Sequence, residues 1–194
     1  DLHPRVRRQR QMCIRDRTME CGQCFHFQKI DDDEYGMSAY GKFLHAAQKD
    51  DKMYLFDTTK EEFEKIWCHY FDLDRDYGEI KSFLLKEDEK LREAVEKMWG
   101  VRILNQEFFE TLISFIISQN KQIPHIKQIV ARISHDYGKY QGSVGGIDFY
   151  GFPTPQQLSQ ADIDALRECK TGFRAPYIYN AVELSLIHIS EPTR

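Results

Sequence analysis

Apolar positions along this chain change period near residue 57, and the change divides it into a strand-like stretch and a longer helical one. Cys24-Phe25-His26-Phe27-Gln28 alternates, which places Phe25 and Phe27 on one face of a strand. An acidic loop, Asp31-Asp32-Asp33-Glu34, follows. Further strand-like runs cover Met37–Tyr40, Phe43–Ala47 and Met53–Phe56, the last two joined through the polar turn Lys49-Asp50-Asp51-Lys52. The pattern predicts an antiparallel meander. Beyond it the spacing becomes helical: Thr59 and Glu62 form a capping box, and Phe63, Ile66, Trp67, Tyr70 and Phe71 make a face able to cover one side of the sheet.

Helical spacing continues to the end. Tyr77, Ile80, Phe83 and Leu84 form one short amphipathic stretch, and Leu91, Val95, Met98 and Trp99 form another, stopped by Gly100 at the position a C′ glycine favours. The strongest pattern runs from Asn105 to Ile133. Asn105 reads as an N-cap with Glu107 at the positive end of the dipole. Phe108, Leu112, Phe115 and Ile116, widened by Phe109 and Ile113, predict a helix buried around most of its girth. Ile126, Ile129, Val130 and Ile133 predict a second helix with Pro124 in its first turn. A polar elbow, Ser118-Gln119-Asn120-Lys121-Gln122, separates the two. A Gly-rich loop from Gly142 to Gly151 comes next, then Thr154-Pro155-Gln156-Gln157 as a helix start, a helix near Asp162–Glu168 closing at Gly172, and a last helix from about Phe173.

Composition narrows the class. A chain of 194 residues with 41% hydrophobic and 13% aromatic content is folded rather than disordered. No apolar run has the length of a membrane span and no signal-peptide pattern opens the chain, so no membrane partner is expected. The five cysteines, Cys13, Cys21, Cys24, Cys68 and Cys169, are odd in number and fit a reducing compartment. Net charge is −4, unevenly spread: residues 18–99 carry 12 Lys+Arg against 20 Asp+Glu, whereas residues 100–185 carry 8 against 8. If a polyanion is touched, the later half should touch it.

The two ends stand apart. Residues 1–17 are Arg-rich without apolar period and read physically as a disordered basic arm. PRVRRQRQMCIRDR and the C-terminal SLIHISEPTR also resemble translated sequencing-adapter read-through, so both ends are expected to be non-native. The expected organisation is a tail at 1–17, a sheet-plus-helix domain at 18–99, a helical domain at 100–185 and a second tail at 186–194. The fold class is α+β, a small twisted antiparallel sheet packed with helices followed by a truncated all-helical domain.

Few residues suggest chemistry by themselves. Cys21-Gly22-Gln23-Cys24 is a lone C-x-x-C without a second pair, a weak metal or redox signal. His26, His45, His69 and His135 show no ligand spacing, and neither metal nor other cofactor is expected. On spacing alone the elbow reads as a helix-helix turn with solvated polar residues, Gly22 as a glycine easing entry into a strand, and Phe173 as a staple at a helix start.

Four segments, in order, resemble the 8-oxoguanine DNA glycosylases of the helix-hairpin-helix glycosylase superfamily. They include Gly22-Gln23-Cys24-Phe25, the segment SFIISQNKQIPHI, and Gly172-Phe173-Arg174-Ala175. The resemblance covers roughly residues 19–185. It implies that Gly22 reads the lesion through its backbone carbonyl, and that Asn120 enters the gap left by a flipped nucleotide. Phe173 would wedge beside the opposite base, with Arg174 and His125 contacting that base. His125 departs from the family's usual arginine, which puts opposite-base selectivity in question. Lys121 is expected to contact phosphate.

Base excision with strand nicking also needs an activated amine and a carboxylate. In the family these come from a glycine-rich hairpin with a lysine, and from a later aspartate. Neither is present before Arg194, so no catalytic residue is assigned and this chain is expected to be inactive alone. The resemblance thus implies a fragment of a bifunctional DNA glycosylase and abasic-site lyase, a monomer acting on damaged double-stranded DNA in a bacterial cytoplasm or a eukaryotic nucleus. Its last helices should expose apolar faces. Two alternatives remain open from sequence: an alkylated-base glycosylase of the same superfamily, and a non-enzymatic helix-turn-helix module reading DNA with Lys127, Gln128 and Arg132.

Overall fold

The structure, a computed structural model, describes residues 18–49, 52–98 and 100–190. The expectations for residues 1–17 and 191–194, for the Asp50-Asp51 turn and for Trp99 lie outside these residues.

The meander is present. Strands β1 (Phe27–Asp31), β2 (Glu34–Ala39), β3 (Lys42–Lys49) and β4 (Lys52–Phe56) form one antiparallel sheet in sequence order. The acidic run supplies the β1–β2 turn, with Asp31 paired to Glu34. One face assignment is corrected. Phe27 is buried in the sheet core beside Tyr35 and Met37, whereas Phe25 packs against the helical core. The strand starts at Phe27, not Cys24, so the segment before it is free to bend and serve both cores.

The Thr59 capping box forms, with Glu62 N bonded to Thr59 Oγ1 and Thr59 N to Glu62 Oε2, each at 3.2 Å. It opens a helical run made of α1 (Lys60–Glu62), a π-helical turn (Phe63–Trp67) and α2 (Cys68–Tyr70). This run lays Trp67, Tyr70 and Phe71 on the sheet, edge to face, with Tyr70 and Phe71 ring centroids 5.1 Å apart. Burying one such ring stabilises the fold by about 3 kcal/mol. The next two helices, α3 (Tyr77–Glu87) and α4 (Arg92–Lys97), correct the pattern in another way. Ile80, Phe83, Leu84, Leu91 and Met98 are exposed and only Val95 is buried. Amphipathic spacing shows that a helix can bury a face, not that a surface is there to receive it. Because α4 ends with Met98 as its cap, Gly100 lies one residue beyond the C′ position.

The second core gathers around α5 (Phe108–Ser118), α6 (Ile123–Tyr137), α7 (Pro155–Leu158), α8 (Ile163–Glu168) and α9 (Ala175–Ser190). Ile126, Ile129, Val130 and Ile133 face it as their spacing predicts, and the Thr154 box and Asp162 cap are both made. Helix α5 differs from its reading. It starts at Phe108, and Asn105 is not its cap. Asn105 instead donates from Nδ2 to the His69 carbonyl at 2.7 Å and from its backbone N to the Tyr70 carbonyl at 2.9 Å, tying the linker to the sheet half. The buried stripe is Glu110, Ile113, Ser114 and Ile117, while Phe108 and Phe115 are 80% and 63% exposed. The helix is one-sided rather than buried around its girth.

The expected Gly142–Gly151 loop is a hairpin, β5 (Tyr140–Val144) and β6 (Ile147–Tyr150). Gly145 and Gly146 take φ of 59° and 77°, the two left-handed residues that a tight hairpin turn requires. Phe149 packs at a tilt against Phe43 of β3 with centroids 4.9 Å apart, so the later half helps cover the sheet. Helix α8 closes at Cys169 and Lys170, ahead of Gly172, and a 3-10 turn over Gly172–Arg174 leads into α9.

Candidate nucleic-acid interface

The elbow is a tight turn of defined type. Gln119 has φ −55° and ψ 116°, Asn120 has φ +52°, and Lys121 N donates to the Ser118 carbonyl at 3.1 Å. These are the features of a type II turn, whose third position needs a left-handed residue. Asparagine is among the few non-glycine residues that accept that conformation readily. The turn makes Asn120 its exposed apex. On its far side Gln122 stays extended, and its carbonyl accepts from His125 N at 3.0 Å and Ile126 N at 3.1 Å, launching α6 with Pro124 in the first turn.

Asn120 and the adjacent pair Phe173 and Arg174, far from it in sequence, line one groove of about 570 Å³ between α5 and α9. Phe115, Ile116, Tyr177 and Leu184 form its apolar walls. Phe173 stands 66% exposed beside it. Arg174 takes the opposite role from Phe173. It is 3% exposed, its guanidinium stacks over the Phe173 ring 4.3 Å from the centroid, and its Nη2 donates to the Gln119 carbonyl. Its buried Nε has no partner. Arg174 is folded inward against the elbow. His125 is exposed on the first turn of α6 and Lys121 half-buried on the turn itself.

Gly22 comes to the same elbow from the other half of the molecule. Its φ of +86° is open to glycine and strained for other residues, and a Cβ there would lie 3.5 Å from Cδ1 of Ile123, the first residue of α6. What fixes this segment is its neighbour Gln23. The Gln23 side chain donates to the Thr18 carbonyl at 2.9 Å and the Arg102 carbonyl at 2.8 Å, and accepts from Leu104 N at 3.0 Å. Its own carbonyl accepts from Gln106 Nε2 at 2.6 Å. Sequence reading missed Gln23. Tyr177 and Asn180 were missed too, although their positions four and seven residues after Phe173 mark one exposed helical face.

The C-x-x-C holds no disulfide: Cys21 is exposed, Cys24 buried and both are free. Burial, reinforced by Glu110, pushes the Cys24 thiol far above its ordinary range, so it is no ready thiolate. Among the described residues no three His, Cys, Asp or Glu side chains are grouped to hold a metal ion. Likewise no helix is long and apolar enough to cross a membrane. His26 is not merely incidental. Its Nδ1 lies 3.3 Å from the Glu110 carboxylate and its Nε2 lies 2.9 Å from the Tyr150 carbonyl, bridging the pre-strand segment, α5 and β6. The helix-turn-helix alternative fits poorly, because Lys127 is half-buried with its ammonium 3.6 Å from the Phe27 ring centroid, and Arg132 turns toward Asp136 at 3.9 Å.

The chain is an α+β protein that displays a left-handed amide at a helix elbow, beside an exposed aromatic in an apolar groove. Comparison with known proteins makes this specific. Residues 6–112 match the family model of the 8-oxoguanine DNA glycosylase N-terminal domain, and the chain belongs to that family. It is 29% identical over 125 residues to the N-glycosylase/DNA lyase of Arabidopsis thaliana, covering 64% of this chain and 34% of that protein. It is 40% identical over 80 residues to the N-glycosylase/DNA lyase of Saccharomyces cerevisiae, covering 41% of this chain and 21% of that one. The structure superposes with TM-score 0.84 and 36% identity on the Clostridium acetobutylicum 8-oxoguanine glycosylase/lyase, solved with double-stranded DNA containing cytosine opposite 8-oxoguanine. That match covers 91% of this chain and 60% of the other. The chain thus spans about a third of the length of the first relative and less of the second.

Proposed function

We propose that this chain is the lesion-sensing and wedging part of a base-excision-repair enzyme. In its intact form the enzyme flips 8-oxoguanine from duplex DNA, cleaves its glycosidic bond and nicks the strand as an abasic-site lyase. The observation that carries this reading is Asn120, held left-handed at an exposed apex beside Phe173 in one groove. An extruded nucleotide leaves a gap, and a short stiff amide can enter it and hydrogen-bond the orphaned base while an aromatic ring props the stack. Gly22, against Ile123, stands where a flipped base would meet backbone rather than a side chain. Lys121 and His125 flank the apex as phosphate and opposite-base contacts. Because the later half carries the charge balance of zero and the elbow, it faces the DNA, and the acidic sheet half faces away.

The amine and the carboxylate that the reaction needs are not assigned to residues of this chain. On this reading the residues assigned in the chain serve binding and wedging. It acts as a monomer on damaged duplex, in a bacterial cytoplasm or a nucleus. Fluorescence anisotropy with two duplexes tests the reading, one undamaged and one carrying a stable abasic analogue opposite cytosine. The chain should prefer the abasic duplex by roughly tenfold, the scale of one good inserted contact. Asn120→Ala should erase the preference with the melting temperature unchanged. Equal affinity of the unaltered chain for both duplexes overturns it.

A further inference from the structure

A separate chamber of about 300 Å³ lies where the segment from Phe25 to Lys29 meets α6 and β6, and it shares no lining residue with the groove beside Asn120. Phe27, Phe149 and Tyr150 give it aromatic walls. From α6 come Lys127, Ala131 and Ser134, which at i, i+4 and i+7 share one helical face, with the short alanine between the two polar side chains. A chamber of this size, walled by rings and holding a few fixed polar groups, is what a small ligand needs.

Two of those groups lack the partner that their burial calls for. Ser134 is 1% exposed and its hydroxyl makes no hydrogen bond. Lys127 is half-buried with its ammonium 3.6 Å from the Phe27 ring centroid, and it forms no ion pair among the described residues. Desolvation lowers its pKa, and the negative charge of Glu20 restores only part of that. The remaining polar neighbours are engaged or solvated. His26 points Nε2 at the Tyr150 carbonyl and Nδ1 toward Glu110, while Gln28, Gln128 and Asp148 are exposed. Lys29 reaches away to Asp32 at 3.1 Å.

We propose that the chamber binds a small planar aromatic acid, with the ring among Phe27, Phe149 and Tyr150, the carboxylate on the Lys127 ammonium and a hydroxyl or amino group on Ser134 Oγ. Lys127 and Ser134 are separated by about 10 Å of helix rise. That is the span of one benzene ring substituted at opposite ends, with a hydrogen bond beyond each substituent. The anion supplies Lys127 with the counter-charge that its surroundings lack, and the second substituent satisfies the stranded hydroxyl. Phe27 belongs to the sheet core and the apolar face of α6 to the helical one, so the ligand bridges the two halves. The site stands independently of the wedge reading.

Titration of the isotope-labelled chain with 4-hydroxybenzoate, benzoate and phenol, followed by amide chemical shifts, tests it. 4-Hydroxybenzoate should saturate one site, with shifts gathered at residues 127–134 and 149–150. It should bind about tenfold tighter than phenol, the scale of a charged hydrogen bond. Lys127→Met should remove that advantage and leave phenol unchanged. Ser134→Ala should remove the advantage of 4-hydroxybenzoate over benzoate, about fivefold for a neutral hydrogen bond, and leave benzoate unchanged. Both variants should fold, since one deletes an unbonded hydroxyl and the other keeps the apolar stem of the lysine. Ala131→Phe, which fills the chamber, should abolish binding of all three. The proposal is overturned by the absence of a saturable shift at ~10 mM probe, by shifts centred on the groove beside Asn120, or by affinity indifferent to Lys127→Met or to Ser134→Ala.

Discussion

The two cores of this molecule are finished to different degrees. The sheet core is closed, although α3 and α4 beside it leave apolar residues exposed: Leu44, Trp67 and Phe71 have no exposed surface, and the hairpin of the later half adds Phe149 against Phe43. The helical half has an equally dry centre at Ile113, Ile117, Val130 and Ile133, yet one side of it stays open. Phe115, Phe173, Tyr177, Leu184 and Ile187 are all more than half exposed there. The closed half is the acidic one and carries mostly local ion pairs on its surface, such as Lys65–Glu61 and Lys97–Glu93 at 2.6 Å, which contribute little stability. The open side carries the elbow. In the helical half exposed apolar surface and the candidate interface coincide, the arrangement expected of a surface meant to be covered, whereas the exposed apolar residues of α3 and α4 lie outside that groove.

The largest test of that contrast compares truncations. Trp67→Ala in the closed half and Ile133→Ala in the open half should each cost about 3–4 kcal/mol, because both side chains are fully buried and leave cavities. Leu184→Ala, at 59% exposure, should cost under about 0.5 kcal/mol. Urea unfolding measures all three. A large loss at Leu184 would mean that the open side is not open in solution.

A second test addresses what joins the halves. Gln23→Ala removes three side-chain hydrogen bonds, two of which pin the Gly22 segment to residues 102–104, and leaves Leu104 N without its acceptor. The cost should be about 2 kcal/mol, the range for stranding a buried donor. Both halves should feel it, since Leu104 is part of the sheet core while Gly22 lies against α6. Hydrogen exchange would then rise at Leu104 and at Ile123 together. A rise confined to one of them breaks the idea that Gln23 couples the two.

Most of the fold was legible because it rests on local signals. The meander, the Thr59 and Thr154 boxes and the α6 stripe all follow from spacing and short-range hydrogen bonds. What failed required knowing the neighbour. The apolar faces of α3 and α4 have nothing to pack on, the face of α5 is set by α6 and α9, and Phe25 belongs to a core built 80 residues later. Resemblance named Asn120, Phe173, Arg174 and Gly22, but only coordinates show that the first three share a groove. The Arg174–Gln119 bond was not legible at all, because no pattern links a buried guanidinium to a turn 55 residues away.

The smallest expected effect is a dependence on pH at the other link between the halves. Burial alone would lower the pKa of His26, but Glu110 beside it, the Tyr150 carbonyl and Glu107 outweigh that and hold the imidazole above its ordinary 6.5. A group with a raised folded pKa gives its full stabilisation below its unfolded value and loses it as pH climbs through the folded one. The melting-temperature difference between the unaltered chain and His26→Gln should therefore be largest near pH ~6 and shrink as pH rises above it. Glu107, whose carboxyl is raised by burial and by Glu110, titrates in both proteins and largely cancels from the difference. A difference that stays flat from about pH 5.5 to 8.5 would show that His26 joins α5 and β6 as a neutral ring, and that the clasp between the closed half and the open one is shape rather than charge.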